Sequence, residues 1–384
     1  MGRIIGIDLA RCLALLGMIT AHLVDDGGPS GEVGGWFLVT AGRSSALFAV
    51  LAGVSITLVT RSRPDRTPTG SRLALLTRAI LVAAIGLVLG IPDSGLAVIL
   101  TYYGVLFLVA LPVITWSAKR LAILAVSWGL ISPVVSLAVR PHLPASTYDV
   151  PTPASLADPL QLLSELTITG YYPVLTWATY LFAGMAIGRL DLRSATVRRW
   201  LVVLGGWGGV LALAVDRLAL RSDNARASLV ATYDRWEPVA SWADLDRVLE
   251  TGLYGTTPTG SWTWLWVWSP HSGSIVDLAH TVGSAMFVIG ISLIVVKIVG
   301  RRGERPLQVL AGAGAMTLTL YAVHVAVVAA GRGAAMGEDS WALDLRVHLL
   351  GVLVVGAIFA LCRWRGPLEQ FVGEISTAVA RARR

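Results

Sequence analysis

Residues Ile4–Val24 read IIGIDLARCLALLGMITAHLV, and this stretch decides the class of the chain. Its length suits a bilayer crossing, which takes ~20 mostly apolar residues. Yet it carries Asp8, Arg11 and His22. Ionisable side chains at membrane depth are costly, and where a span keeps them a functional site is the default reading. Arg11 and His22 share one helix face, because their separation turns the helix by three full turns plus ~20°. The same separation places them ~16 Å apart along the axis. Asp8 precedes Arg11 by one helical step and is set to pair with it. A neutral imidazole such as His22 can take a proton from a hydroxyl or an amine. Asp25 and Asp26 follow it. The bland alternative for His22 is an interface histidine that satisfies the helix end.

The rest of the chain agrees with a membrane reading. Of its 384 residues 55% are hydrophobic and 14% charged, well below the ~25% charge of soluble domains. Ten spans are expected, at about 4–24, 37–60, 73–91, 96–116, 121–139, 171–189, 199–220, 275–298, 307–330 and 344–363. Basic residues gather in alternate connections: Arg61, Arg63, Arg66 and Arg72; Lys119 and Arg120; Arg193, Arg198 and Arg199; Arg301, Arg302 and Arg305; and the C-terminal arginines. The intervening loops 25–35 and 91–95 have none. Short basic loops stay in the cytoplasm, so both termini are expected inside. The net charge of +7 thus reports topology and not a nucleic-acid partner. The fold expected is an all-α, polytopic membrane helix bundle. It forms one domain, 1–363, followed by a basic amphipathic tail, 364–384, lying on the inner surface. No signal-peptide cleavage site follows His22, so the first span is expected to be retained.

Two outside loops are long, 140–170 and 221–274. The first is expected to hold an interfacial helix. In the second, Trp262, Trp264, Trp266 and Trp268 alternate with other residues, a strand-like or interfacial pattern. Cys12 and Cys362 lack metal-ligand spacing and read as buried thiols. No pair of histidines is four apart on a helix, so no metal site is expected.

Further ionisable residues lie in or beside spans. Arg43, among Gly42, Ser44 and Ser45, needs an acidic or carbonyl partner. Arg78 either snorkels to the surface or contacts a phosphate. Asp277 and His280 are one helical step apart, with His271 just outside; they read as an acceptor pocket or as a charge pair sealing the bundle. His324 reads as a packed core histidine or an acceptor-site residue. Asp344, Arg346 and His348 read as interfacial.

Several segments resemble a known family: RIIGIDLARCLALLGMITAH (3–22), AGRSSALFAVLAGVSITL (41–58), LTYYGVLFLVALPVI (100–114), YYPVLTWATYLFAGMAIGRLDL (171–192), PHSGSIVDLAHTVGSAMFVIG (270–290) and MTLTLYAVHV (316–325). Arg11-x10-His22 resembles the motif of the transmembrane acyltransferase superfamily, which includes the acyltransferase-3 proteins. The nearer resemblance is to the heparan-α-glucosaminide N-acetyltransferase-like branch and its bacterial DUF418 and DUF1624 relatives. That resemblance implies an acyl-CoA-dependent transferase of the bacterial inner membrane. Acetyl-CoA or another acyl-CoA would be a co-substrate from the cytoplasm, with no permanently bound cofactor. The acceptor would be an extracytoplasmic sugar or glycolipid, through a hydroxyl or an amine. It further implies that His22 is the catalytic base and that Arg11, with Asp8, holds the donor. Arg43 and Arg78 would be phosphate contacts or structural arginines. Asp277, His280, His271 and His324 would surround the acceptor. Lipid is the other expected partner, and homodimerisation stays open. The rival readings are a secondary transporter and a non-catalytic subunit of envelope assembly. Against the transporter stand the lack of an internal repeat and of an obviously broken pair of helices.

Overall fold

The computed structural model describes residues 4–24, 33–61, 67–235, 238–333 and 344–381. Among these there are helices and no strand. The helices are α1 Ile5–Leu23, α2 Gly35–Thr40, α3 Arg43–Arg61, α4 Pro68–Leu89, α5 Leu100–Ala110, α6 Ala118–Val139, α7 Pro159–Ser164, α8 Val174–Arg189, α9 Ala195–Ala219, α10 Asp223–Ala231, α11 Trp242–Thr251, α12 Ile275–Leu310, α13 Thr317–Gly333, α14 Leu345–Cys362 and α15 Pro367–Arg381.

Seven helical segments are long and apolar enough to cross a membrane, and an eighth crossing results if a bent pair counts as one. Two of the ten expected spans are shorter. The fourth, 96–116, is helical only over Leu100–Ala110. Leu111 keeps helical dihedrals, but Pro112 lacks the N–H that would continue the hydrogen-bond ladder, and the regular helix stops there. The sixth, 171–189, starts only after Pro173 and gives the 16-residue α8. Span nine holds the bent pair, Arg305–Ala315 and Thr317–Arg332, which meet at 59°. The expectation of no broken helix pair is therefore corrected. Gly300, at φ 63°, separately breaks α12.

Two helices form the centre. In α8 every residue from Thr176 to Gly188 is buried. It crosses α3 with backbones almost touching: a Cβ on Gly184 would collide with the Val50 carbonyl, and one on Gly53 with that of Leu181. Small residues at such crossings replace the hydrophobic drive that lipid removes. α1 packs beside this pair, against α3, α12 and the 3-10 turn Ala311–Ala315. That turn approaches so closely that a Cβ on Gly314 would meet the Asp8 carbonyl. α6, α9 and α14 lie outside and turn large apolar side chains outward, among them Ile131, Trp207, Leu211, Leu350 and Leu361. On a soluble surface such a display would be a liability, whereas here it is the lipid face.

The long connections fold. The segment 221–274 packs α10, α11 and the 3-10 turn Trp262–Trp266 around Trp264, which is fully buried, with Leu229, Leu245 and Leu265. Of the two patterns expected for the tryptophans, the strand-like one is corrected, since Trp262–Trp266 is a 3-10 turn. Only Trp262 and Trp266 stay exposed. The segment 140–170 contains short turns and α7, as the expected helix in that loop. Cys12 is buried, but Cys362 is exposed at the end of α14, against expectation.

The tail forms α15, which packs on α4 and α13 and buries Val372, Ser376 and Ala380. Glu369 accepts hydrogen bonds from the Leu318 and Thr319 backbone N–H groups, at 2.7 and 3.3 Å. It thereby caps the start of α13, where unpaired N–H groups and the helix dipole favour a carboxylate.

Candidate functional site

α1 carries the site residues from one end of the bundle to the other. Its starting end is called proximal below and its finishing end distal. At the proximal end Asp8, 5% exposed, accepts from Arg11 Nη1 at 3.2 Å. Arg11 Nη2 also donates to Ser55 Oγ on α3. The pair expected from the sequence is thus present, and a third group from α3 braces it.

Arg11 faces a cavity of about 310 Å³. Its walls come from α1, α3, α4, α5, α13 and α15, and include Phe48, Tyr103, Phe107 and Tyr321. Arg78 and Glu369 also line it. The Arg78 guanidinium makes no hydrogen bond among the described residues, whereas Glu369 is committed to α13. The Tyr103 hydroxyl is buried without a hydrogen-bond partner among the described residues. An orphaned buried hydroxyl is costly, and one in a cavity wall points to a polar ligand group.

A second cavity, about 240 Å³, opens at the distal end. It is lined by His22 and Ala21 of α1, the small residues Gly42, Ser44 and Ser45 around the start of α3, Tyr171, Tyr172, Tyr254, His271 and Arg332. Aromatic rings meet here edge to face: Tyr171 with Tyr254 at 5.5 Å, and Tyr172 with His271 at 5.7 Å between centroids. His271 sits at a positive φ of 57° with its ring parallel to that of Trp177. Burial lowers its pKa to about 4, so it is neutral near pH 7. Met18 lines both cavities. Its side chain thus borders both the space at Arg11 and the space at His22.

His22 is hydrogen-bonded through Nδ1 to His324 Nε2 on α13, at 3.1 Å. His324, 2% exposed, uses its Nδ1 on His348 Nδ1 of α14, at 3.0 Å. His22 Nε2 has no hydrogen-bond partner among the described residues. His348 was expected at the interface with Asp344 and Arg346. Instead it is buried at 7% exposure, while Asp344 caps α14 by accepting from the Arg346 N–H at 2.7 Å. Nothing in the sequence signals that His348 meets His324, because the two lie on different helices and share no pattern.

The remaining residues lie elsewhere. Asp277 and His280 are adjacent on α12 but engage other groups. Asp277 Oδ2 accepts from the Gly273 N–H at 3.0 Å. His280 Nδ1 faces the Gly209 carbonyl at 3.0 Å, and its Nε2 accepts from Arg43 Nε at 2.9 Å. Arg43 also donates to the Leu38 carbonyl and lies over the Trp268 ring at 4.8 Å, a cation–π contact. The carbonyl partner expected for it is there. Asp277, His280 and Arg43 line neither cavity.

Two cavities share Met18 on one membrane helix, with a braced arginine lining one and an imidazole lining the other. Residues 3–211 match the family model of the heparan-alpha-glucosaminide N-acetyltransferase catalytic domain, over more than half of the chain. The chain belongs to this family. It is a multi-pass membrane protein of acetyltransferase type. No curated protein matches it. The match covers α1 through most of α9, and so Arg11, His22, Arg43 and Arg78. It ends before the segments 270–290 and 316–325, and so before His271, Asp277, His280, His324 and His348.

Proposed function

We propose that the protein transfers an acetyl or other acyl group from cytoplasmic acyl-CoA, held in the proximal cavity, to a sugar or glycolipid in the distal cavity. The observation that carries this reading is Met18, shared by the two cavities on the helix face that bears both Arg11 and His22. Arg193, Arg198 and Lys297 surround the start of α1, which supports a cytoplasmic donor side. Arg78 and Arg11 supply positive charge for the CoA phosphates. The pantetheine arm would run past Tyr103 and Tyr321 and bring its thioester to Met18. The aromatic walls of the distal cavity suit a sugar ring, whose apolar faces stack on tyrosine.

Chemically, His22 Nε2 takes the proton of an acceptor hydroxyl or amine as its oxygen or nitrogen attacks the thioester carbonyl. The C–S bond breaks and the thiolate takes that proton. Both a hydroxyl and an amine fit this step. The test is product formation by the purified protein in nanodiscs, given acetyl-CoA and a glucosamine-ended oligosaccharide. His22→Ala is expected to lose at least ~100-fold in rate with acyl-CoA binding retained. A folded His22→Ala protein that transfers at the wild-type rate removes His22 as the base.

The bent pair Arg305–Ala315 and Thr317–Arg332 favours a second reading, a secondary transporter, since such carriers use broken helices. Solute flux into liposomes without acyl-CoA, together with no CoA release when donor and glycan are supplied, would decide for it.

A further inference from the structure

The contact between His22 and His324 has the geometry of a hydrogen bond and not of a stack. Their ring planes are 8° apart with centroids 5.4 Å apart, while Nδ1 and Nε2 approach to 3.1 Å. A centroid separation that large, at so short an N···N distance, requires the rings to lie end to end and nearly coplanar. An N–H of one ring therefore points along the lone pair of the other. The second link, His324 to His348, is N···N 3.0 Å between rings at 87°.

With each ring carrying one N–H, the two links have two self-consistent arrangements, because each link needs one donor and one acceptor. In the first, His22 donates from Nδ1–H to His324 Nε2, His324 donates from Nδ1–H to His348 Nδ1, and His22 Nε2 bears the lone pair. In the second every direction reverses, and His22 presents an Nε2–H that cannot act as a base. Only the first gives His22 an acceptor for its Nδ1–H once Nε2 has taken a proton. No single metal ion accounts for the cluster, since His324 turns different nitrogens to its two neighbours.

We propose that His324 and His348 are positioning residues that hold His22 as its Nδ1–H tautomer, with the Nε2 lone pair presented to the acceptor, and that spread the charge of the imidazolium formed during transfer. The proposal rests on the acyl-transfer reading above. In the step, the acceptor's O–H or N–H proton passes to His22 Nε2 while its oxygen or nitrogen bonds to the carbonyl carbon. The thioester C–S bond breaks, and the proton goes on from Nε2 to the leaving sulfur. The positioning groups gain and lose nothing overall. The logic is that of a base oriented by a second hydrogen-bonding group, with imidazole where a carboxylate often stands.

The test uses the full chain, 15N-labelled at histidine, in lipid nanodiscs, with the His22 resonance assigned by its loss in His22→Gln. Nitrogen shifts that show His22 protonated at Nδ1 in the wild type are expected. In His324→Leu that preference is expected to relax to a tautomer mixture, with acyl-CoA binding unchanged and transfer reduced at least ~100-fold. In His324→Gln, whose amide oxygen can accept at the position of Nε2, the Nδ1–H tautomer is expected to persist and transfer to stay within ~10-fold of wild type. His22 resting as the Nε2–H tautomer, or a His324→Leu protein with wild-type transfer, overturns the proposal. Failure of the wild type itself to transfer would instead count against the acyl-transfer reading, and the nitrogen shifts would still read the tautomer.

Discussion

Each functional side chain here is defined by what its polar atoms touch. Arg11 is held by Asp8 and Ser55, which fixes it in the cavity wall; Arg43, equally cationic, is spent on His280 and Leu38. Tyr103 is the reverse, a buried hydroxyl with no partner among the described residues. Tyr103→Phe should therefore raise the melting temperature of the ligand-free protein, because it deletes an unsatisfied group. The same change should weaken acyl-CoA binding by about tenfold, the worth of one hydrogen bond. Melts and binding titrations in detergent check both signs, and a weaker apo protein with unchanged affinity would contradict the assignment. His271 gives a pH prediction. Its folded pKa of about 4 lies below the unfolded value of ~6.5. Between these values the unfolded chain binds the extra proton, so stability rises with pH across the window and is lost as pH falls through it. The residue keeps some exposed surface, so about 3 kcal/mol is an upper bound on the loss. Melting temperatures from pH 7 to 4 should fall more steeply for the wild type than for His271→Asn. Equal slopes would show that the ring is not held neutral.

At the scale of elements, α1, α3 and α8 form the frame and the other spans surround them. Glycines set the closest approach, so the crossing of α3 and α8 should tolerate no side chain. Gly184→Leu would drive a side chain into the Val50 carbonyl, with an overpacking cost of about 1–3 kcal/mol or more. Size-exclusion profiles should show a marked loss of monodisperse protein, and a wild-type profile would contradict the packing. α1 was fully legible in the sequence, since charges inside an apolar run stand out and helical period places them on one face. The lengths of α5 and α8 were less legible. Hydropathy continues past Ala110, and only Pro112 and Pro173 mark where helix is lost or begins. The chain His22–His324–His348 was illegible, because contacts between α1, α13 and α14 depend on packing that no local pattern records. The amphipathic pattern of the tail gives a helix, and only its packing brings Glu369 to the start of α13 and the cavity wall.

For the whole molecule, the bundle sets two cavities along α1 that share Met18. The proximal end has Arg193, Arg198 and Lys297 around the start of α1, while the distal end is capped by the folded segment around Trp264 and walled by tyrosines. Under the proposed acyl transfer, donor and acceptor need never share a compartment. Proteoliposomes sorted for one orientation test it directly, with acetyl-CoA on one face and the oligosaccharide acceptor on the other. Acetylated glycan is expected when acetyl-CoA meets the proximal face and the glycan the distal face, and none when the two are exchanged. Product that forms only when donor and acceptor are on the same side would contradict it.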